Sequence, residues 1–197
     1  MLSNRRLLTS AIAIAVGSGA ANAQTNLEKL GAFKTTGVTD FEFVDQGGDR
    51  ADAIRNILER INLPSGFNID LYAIVPDARH MAVGPQGIVT FVGTRKTKAW
   101  SVTDRNKDRV ADEVKSFAPS IDFSIPNGPC FSEDGFLYIA EQNRVLVYPA
   151  AEFFYEGPDV AVIEVVPQGK LIPVEEESFN HGARTCRVGP DGMLYVT

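Results

Sequence analysis

Three stretches decide the fold: MAVGPQGIVTFVGT at 81–94, PCFSEDGFLYIAE at 129–141 and CRVGPDGMLYVT at 186–197. Each opens on a hydrophobic pair and runs into a four-residue turn closed by glycine, at Gly87, Gly135 and Gly192. Each then continues as a strand with an aromatic-aliphatic pair, Phe91-Val92, Tyr138-Ile139 and Tyr195-Val196. Pro occupies the second turn position in two copies, and the closing Gly suits a turn that needs left-handed backbone. The interval between copies is roughly 50 residues, filled by several short β-favouring runs, which is the pattern of a β-propeller blade. A helical solenoid would show a 3.6-residue period, and none is present in the repeat.

Outward from these copies, strands are expected at Phe67–Ala73, Ile88–Gly93, Ala99–Val102, Leu137–Ala140, Arg144–Tyr148, Val160–Val166 and Met193–Val196. The fold class is therefore all-β, a propeller of four-stranded blades over residues 63–197. About three blades fit there, whereas closed propellers have 4–8. We expect a truncated propeller, roughly half of its natural length. Upstream, residues 24–62 read as a leader with a short strand near Phe41–Val44 and one amphipathic helix. The helix, DRADAIRNILERI at 49–61, carries Ala53, Ile54, Ile57, Leu58 and Ile61 as an apolar stripe. Asp49 is its expected N-cap, Leu63-Pro64-Ser65-Gly66 its stop, and the stripe its docking face on the blades.

Residues 1–23 form a secretory signal peptide. Arg5 and Arg6 supply the positive region, Leu7 to Val16 the apolar stretch, and Ala21-Asn22-Ala23 the cleavage site. The stretch is too short to span a membrane, and no second one approaches spanning length. The expected location is periplasmic or secreted, with no membrane span after cleavage. The 197 residues carry 44% hydrophobic and 22% charged side chains and a net charge of −6, so a disordered chain is excluded. An acidic chain with no basic run is a poor partner for nucleic acid. Cys130 and Cys186 are the two cysteines. Export permits a disulfide, but spacing alone leaves one bridge and two buried thiols both open.

Two constellations can carry chemistry. The first is Asn180-His181-Gly182-Ala183-Arg184, which leads into the third copy. His181 stands where an inner strand begins, and imidazole, with an unperturbed pKa of ~6.5, suits general-base work. Arg79, Asn127 and Arg184 each stand eight residues ahead of their closing glycine. If the repeat holds, they converge on one end of the channel, where Arg favours carboxylates and carbonyl-rich anions. Structural hydrogen bonding between blades is the alternative role for these three. The second constellation is Asp104, Asn106, Asp108 and Asp112, with oxygens at positions 1, 3, 5 and 9 of a DxNxD calcium loop. Arg109 stands where such a loop normally has Gly, and Lys115 where it has Glu. The alternative is an acidic hairpin neutralised by its own Arg and Lys. No P-loop, GxGxxG, GxSxG or HExxH is present in the sequence.

The run Leu63-Pro64-Ser65-Gly66-Phe67, then Ala78 to Pro85, Val92-Gly93-Thr94-Arg95, Asp104 to Glu113, Ile125-Pro126-Asn127-Gly128, Tyr138 to Val145, and His181 followed by Gly189-Pro190-Asp191-Gly192, resembles the N-terminal half of the glucose/sorbosone dehydrogenase family. The resemblance covers about residues 60–197. It implies an exported six-bladed propeller that uses pyrroloquinoline quinone (PQQ) to oxidise a sugar hydroxyl or sugar aldehyde. It implies His181 as the base, Asn180 as its polar neighbour, and Arg79 and, more weakly, Asn127 as cofactor contacts. A quinone or cytochrome c is the expected electron acceptor, and Ca²⁺ at the acidic loop is a further expected cofactor, although the family's loop often has Gly where this chain has Arg109. The competing readings are a calcium-dependent propeller lactonase and a non-catalytic propeller that binds a partner.

Overall fold

The computed structural model of the chain describes residues 40–157 and 160–197. The expected signal peptide and the leader up to residue 39 lie outside the described residues. Two four-stranded antiparallel meanders dominate. The first runs β1 (Ala78–Val83), β2 (Val89–Thr94), β3 (Ala99–Thr103), β4 (Glu113–Phe117); the second runs β5 (Gly128–Phe131), β6 (Leu137–Ala140), β7 (Val145–Tyr148), β8 (Ile163–Val166). A third begins with β9 (Cys186–Val188) paired to β10 (Leu194–Val196). Strand β1 lies beside β5 and β5 beside β9, so the first strand of each sheet faces a common axis. Each outermost strand returns by a crossover to the innermost strand of the next sheet. That is the architecture of propeller blades.

The repeat turns are one structure made three times. Gly87, Gly135 and Gly192 have φ of 69°, 85° and 75°. Each N–H donates to the residue three earlier, Gly84, Ser132 and Gly189, at 2.8, 3.0 and 2.9 Å. The turn at each position demands left-handed backbone, which glycine adopts without a side-chain clash.

Alternation along β2 explains the packing. Val89 and Phe91 turn to the second blade, while Val92 turns the other way. Phe91 and Phe117 meet edge-on at 4.9 Å, and Phe117 meets Tyr148 at 4.9 Å, so aromatic rings fill the space between blades one and two. The opposite face of blade one packs Trp100, Val102 and Val114 under Val44, Ala73 and Val75. Cys130 on β5 and Cys186 on β9 form a disulfide, which resolves the open choice in favour of the bridge and staples the second blade to the start of the third.

The upstream segments differ from expectation. Helix α1 spans Gly48–Leu58 and starts from Gly47 without a side-chain cap; Asp49 lies inside its first turn instead. It ends ahead of Leu63-Pro64, and only Ala51 is buried. Ile57 is 52% exposed, so the stripe is not a docking face on the blades. Residues 41–44 make a single bridge, Phe43 to Lys115, along the edge of β4. This covers an edge that would otherwise be open. Phe67–Ala73 forms no strand: its Tyr72 carbonyl accepts from the Ala111 N–H, and the neighbouring Ile74 takes both backbone partners from the Gln46 side chain, at 2.7 and 3.0 Å. Helix α2 (Ala151–Phe154) lies between β7 and β8. Among the described residues no helix is long and apolar enough to cross a membrane.

Candidate functional site

The inner strands begin at one end of the sheets, beside the β2–β3 and β6–β7 turns. There the chain brings together residues that are far apart in sequence. Gly93 has no room for a side chain, since a Cβ would lie 2.3 Å from the Asn127 carbonyl oxygen. Gly128 is similarly tight, its Cβ position 2.6 Å from the Arg184 carbonyl oxygen. Backbones of neighbouring blades therefore touch at this end.

The three repeat-equivalent residues do reach this common end, in different roles. Arg79 lies in a bulge of β1, between the pairs Ala78–Thr94 and His80–Gly93, and is exposed. Asn127 is 4% exposed and donates its Nδ2 to the Arg184 carbonyl at 2.7 Å. Its amide is thus spent on joining blades rather than lining an open pocket. Arg184 donates Nε to the Gln142 carbonyl at 3.1 Å and is half-buried.

His181 ends a 3-10 turn, Phe179–His181, in the crossover from β8 to β9. His181 and Asn180 are both exposed, and the His181 N–H donates to the Ser178 carbonyl at 3.2 Å. Arg95, from the β2–β3 turn, donates Nη2 to the Phe179 carbonyl at 2.6 Å. Its guanidinium also sits 4.7 Å from the centre of the Phe179 ring. Sequence reading missed Arg95 and Gln142, because neither holds a repeat-equivalent position.

A buried polar layer supports this end. Glu141, fully buried, accepts two bonds from Arg144 Nη2 at 2.7 and 3.0 Å and one from the Ser124 N–H. Burial pushes the Glu141 carboxyl above its ordinary value, against the pull of Arg144. Asn143, also fully buried, accepts the N–H groups of Leu171 and Ile172 at 2.8 Å each. It donates to the Ile172 carbonyl and to Glu177 Oε1. One side chain thereby fixes the first half of the crossover that presents His181.

The acidic loop stands at the other end. Asp104 donates its N–H to the Ile88 carbonyl, and Lys107 Nζ reaches the Gln86 carbonyl, both next to the β1–β2 turn. Asp104, Asn106, Asp108 and Asp112 therefore do not join His181. Their oxygens cap their own loop: Asp104 Oδ2 accepts from the Arg109 N–H, Asn106 Oδ1 from Asp108, Asp108 Oδ1 from Val110, and Asp112 Oδ2 from Arg105. Among the described residues no three His, Cys, Asp or Glu stand together as a metal-holding group. Arg109 adopts φ 71°, the left-handed position where such loops carry Gly.

Between the inner strands lies a groove of about 540 Å³ lined by His80, Met81, Pro129, Arg187 and Tyr195 among others.

No protein family and no curated protein matches the sequence. The fold is similar to a solved structure from Xanthomonas campestris described as a gluconolactonase important in glucose secondary metabolic pathways. Identity is 16%, the match covers 68% of this chain and 39% of that one, and the TM-score is 0.47. The chain spans about two fifths of that protein's length. The propeller assignment rests on the strand order and the repeated turn.

Proposed function

We propose that the end where the inner strands begin is the active end of an exported sugar-processing propeller enzyme. The reading the donor set supports best is oxidation of a sugar hydroxyl or sugar aldehyde with PQQ. The observation that carries it is that Arg79, Arg184 and His181 lie at one end of the sheets while the acidic loop lies at the other. PQQ bears three carboxylates, and an exposed Arg79 with a half-buried Arg184 is a donor set suited to them. When bound, PQQ supplies the hydride acceptor. The chain's own part is binding and proton transfer. Arg79 and Arg184 hold carboxylates, and Asn127 fixes Arg184. His181 accepts the hydroxyl proton of the sugar, an assistance worth about 10²–10⁴-fold. Electrons leave to a quinone or cytochrome c. The proposed location is the periplasm or the exterior, and Ca²⁺ is the proposed companion ion.

A second reading is a calcium-dependent propeller lactonase. Its support is that a base and two guanidinium groups at one end are also what water attack on a lactone carbonyl uses. His181 would take the proton of the water, and an Arg would face the developing oxyanion.

The full-length protein, purified free of cofactor and titrated with PQQ and Ca²⁺, tests both. Dye reduction with aldoses and sorbosone-like aldehydes, saturating near one PQQ per chain, is the expected result. Hydrolysis of an aldonolactone with Ca²⁺ alone would replace it with the second reading. Binding without turnover of either substrate would leave a carbohydrate-binding propeller.

A further inference from the structure

Arg95 makes a two-point hold on the segment that carries His181. Its Nη2 donates to the Phe179 carbonyl at 2.6 Å, and its Cζ lies 4.7 Å from the Phe179 ring centre. A planar guanidinium suits this pairing of a carbonyl bond with a ring contact, because its fork is rigid and weakly hydrated. The ring it holds is 60% exposed, so burial alone does not keep it in place. Upstream, the crossover is pinned through Asn143 at Leu171, Ile172 and Glu177. Downstream, it is pinned at Arg184 by Asn127 and Gln142. The 3-10 turn between these anchors is gripped by Arg95.

The grip comes from a telling place. Thr94, next to Arg95, pairs with Ala78, next to Arg79. Arg79 and Arg95 therefore leave one rigid pair of strands in blade one, while His181 lies in the crossover to the third blade. We propose that Arg95 is a positioning residue that sets His181 at a fixed distance from Arg79, and so places the proton acceptor against an anion held by Arg79. This rests on the role given to His181 above. It adds a residue in blade one that acts only through the Phe179 turn.

The test uses Arg95→Ala and Arg95→Lys in the full-length protein. We expect kcat to fall about 10- to 100-fold, with the KM of the sugar little changed, because the base is displaced and substrate contacts are kept. Added guanidinium ion should restore much of the loss in Arg95→Ala, and Lys should not substitute. A drop in KM affinity alone, or no guanidinium rescue, overturns the proposal. A second readout does not depend on turnover. The His181 ring resonance, assigned by its loss in His181→Ala, should shift or broaden in Arg95→Ala and stay in place in Arg79→Ala. An unchanged resonance in Arg95→Ala overturns the proposal even in a protein of different activity. A shifted resonance in a protein that turns over no sugar keeps the positioning role and removes the oxidation reading.

Discussion

Asn127 donates its side-chain amide to the backbone carbonyl of Arg184 at 2.7 Å, and the two residues hold the same position in successive repeats. The start of one blade is therefore tied to the start of the next by a residue that the repeat itself supplies. Asn127 is 4% exposed, so Asn127→Ala strands the Arg184 carbonyl away from water. The expected cost is about 1–3 kcal/mol in urea denaturation. Unchanged stability would show that water takes over the bond.

The same close approach makes two glycines respond differently. At Gly93 a Cβ would meet the Asn127 carbonyl oxygen at 2.3 Å, with backbone on every near side. At Gly87 the φ is 69° but the surrounding space is open. Gly87→Ala should cost roughly 1–2 kcal/mol of backbone strain. Gly93→Ala should cost more, about 3 kcal/mol or above, or fail to fold, since neighbouring blades must part. Paired thermal melts check the order; equal losses would contradict the backbone contact.

The Cys130–Cys186 bridge joins inner strands of adjacent blades. Its removal by Cys130→Ser with Cys186→Ser should cost about 2–5 kcal/mol. Both cysteines are buried, so the wild type should keep its melting point in mild thiol while folded. A variant as stable as the wild type would show that the blades hold without the bridge.

Glu141 gives a pH signature. Burial raises its carboxyl above the ordinary value of 4.5, against Arg144 and the Ser124 N–H. The folded chain then binds this proton more tightly than the unfolded chain. The contribution is fully present below the unfolded value and is lost as the pH rises through the folded one. Wild-type stability should fall relative to Glu141→Gln as the pH rises from the ordinary carboxylate value, whatever the offset between the two proteins. A rise over that range would mean that Arg144 outweighs burial.

The blades were legible because their turns are local chemistry. Gly87, Gly135 and Gly192 mark the same hydrogen-bonded turn, and the alternation at Val89, Phe91 and Val92 marks a strand buried on both faces. Strand β4 escaped because Lys115 and Ser116 interrupt its apolar pattern; Lys115 is buried there against Glu113 and the rings of Phe41 and Tyr155. The segment at Phe67–Ala73 misled because its residues favour strands while its backbone bonds are scattered, the Phe67 N–H donating to the Pro64 carbonyl and the Tyr72 carbonyl accepting from the Ala111 N–H, with no ladder between them. At the candidate site, the shared location of Arg79, Asn127 and Arg184 at one end of the sheets was legible from spacing alone. That Asn127 is spent between blades, and that Arg95 grips Phe179, depends on contacts 57 and 84 residues apart in sequence. No periodicity reports such contacts.

The central claim is that His181, at the end where the inner strands begin, is the proton acceptor. The most direct measurement is kcat of His181→Ala against wild type in the full-length, PQQ-loaded protein, with melting curves of both. The account expects a loss of about 10²–10⁴-fold with the melt unchanged. Turnover retained in a folded His181→Ala protein would contradict it and return His181 to a surface histidine.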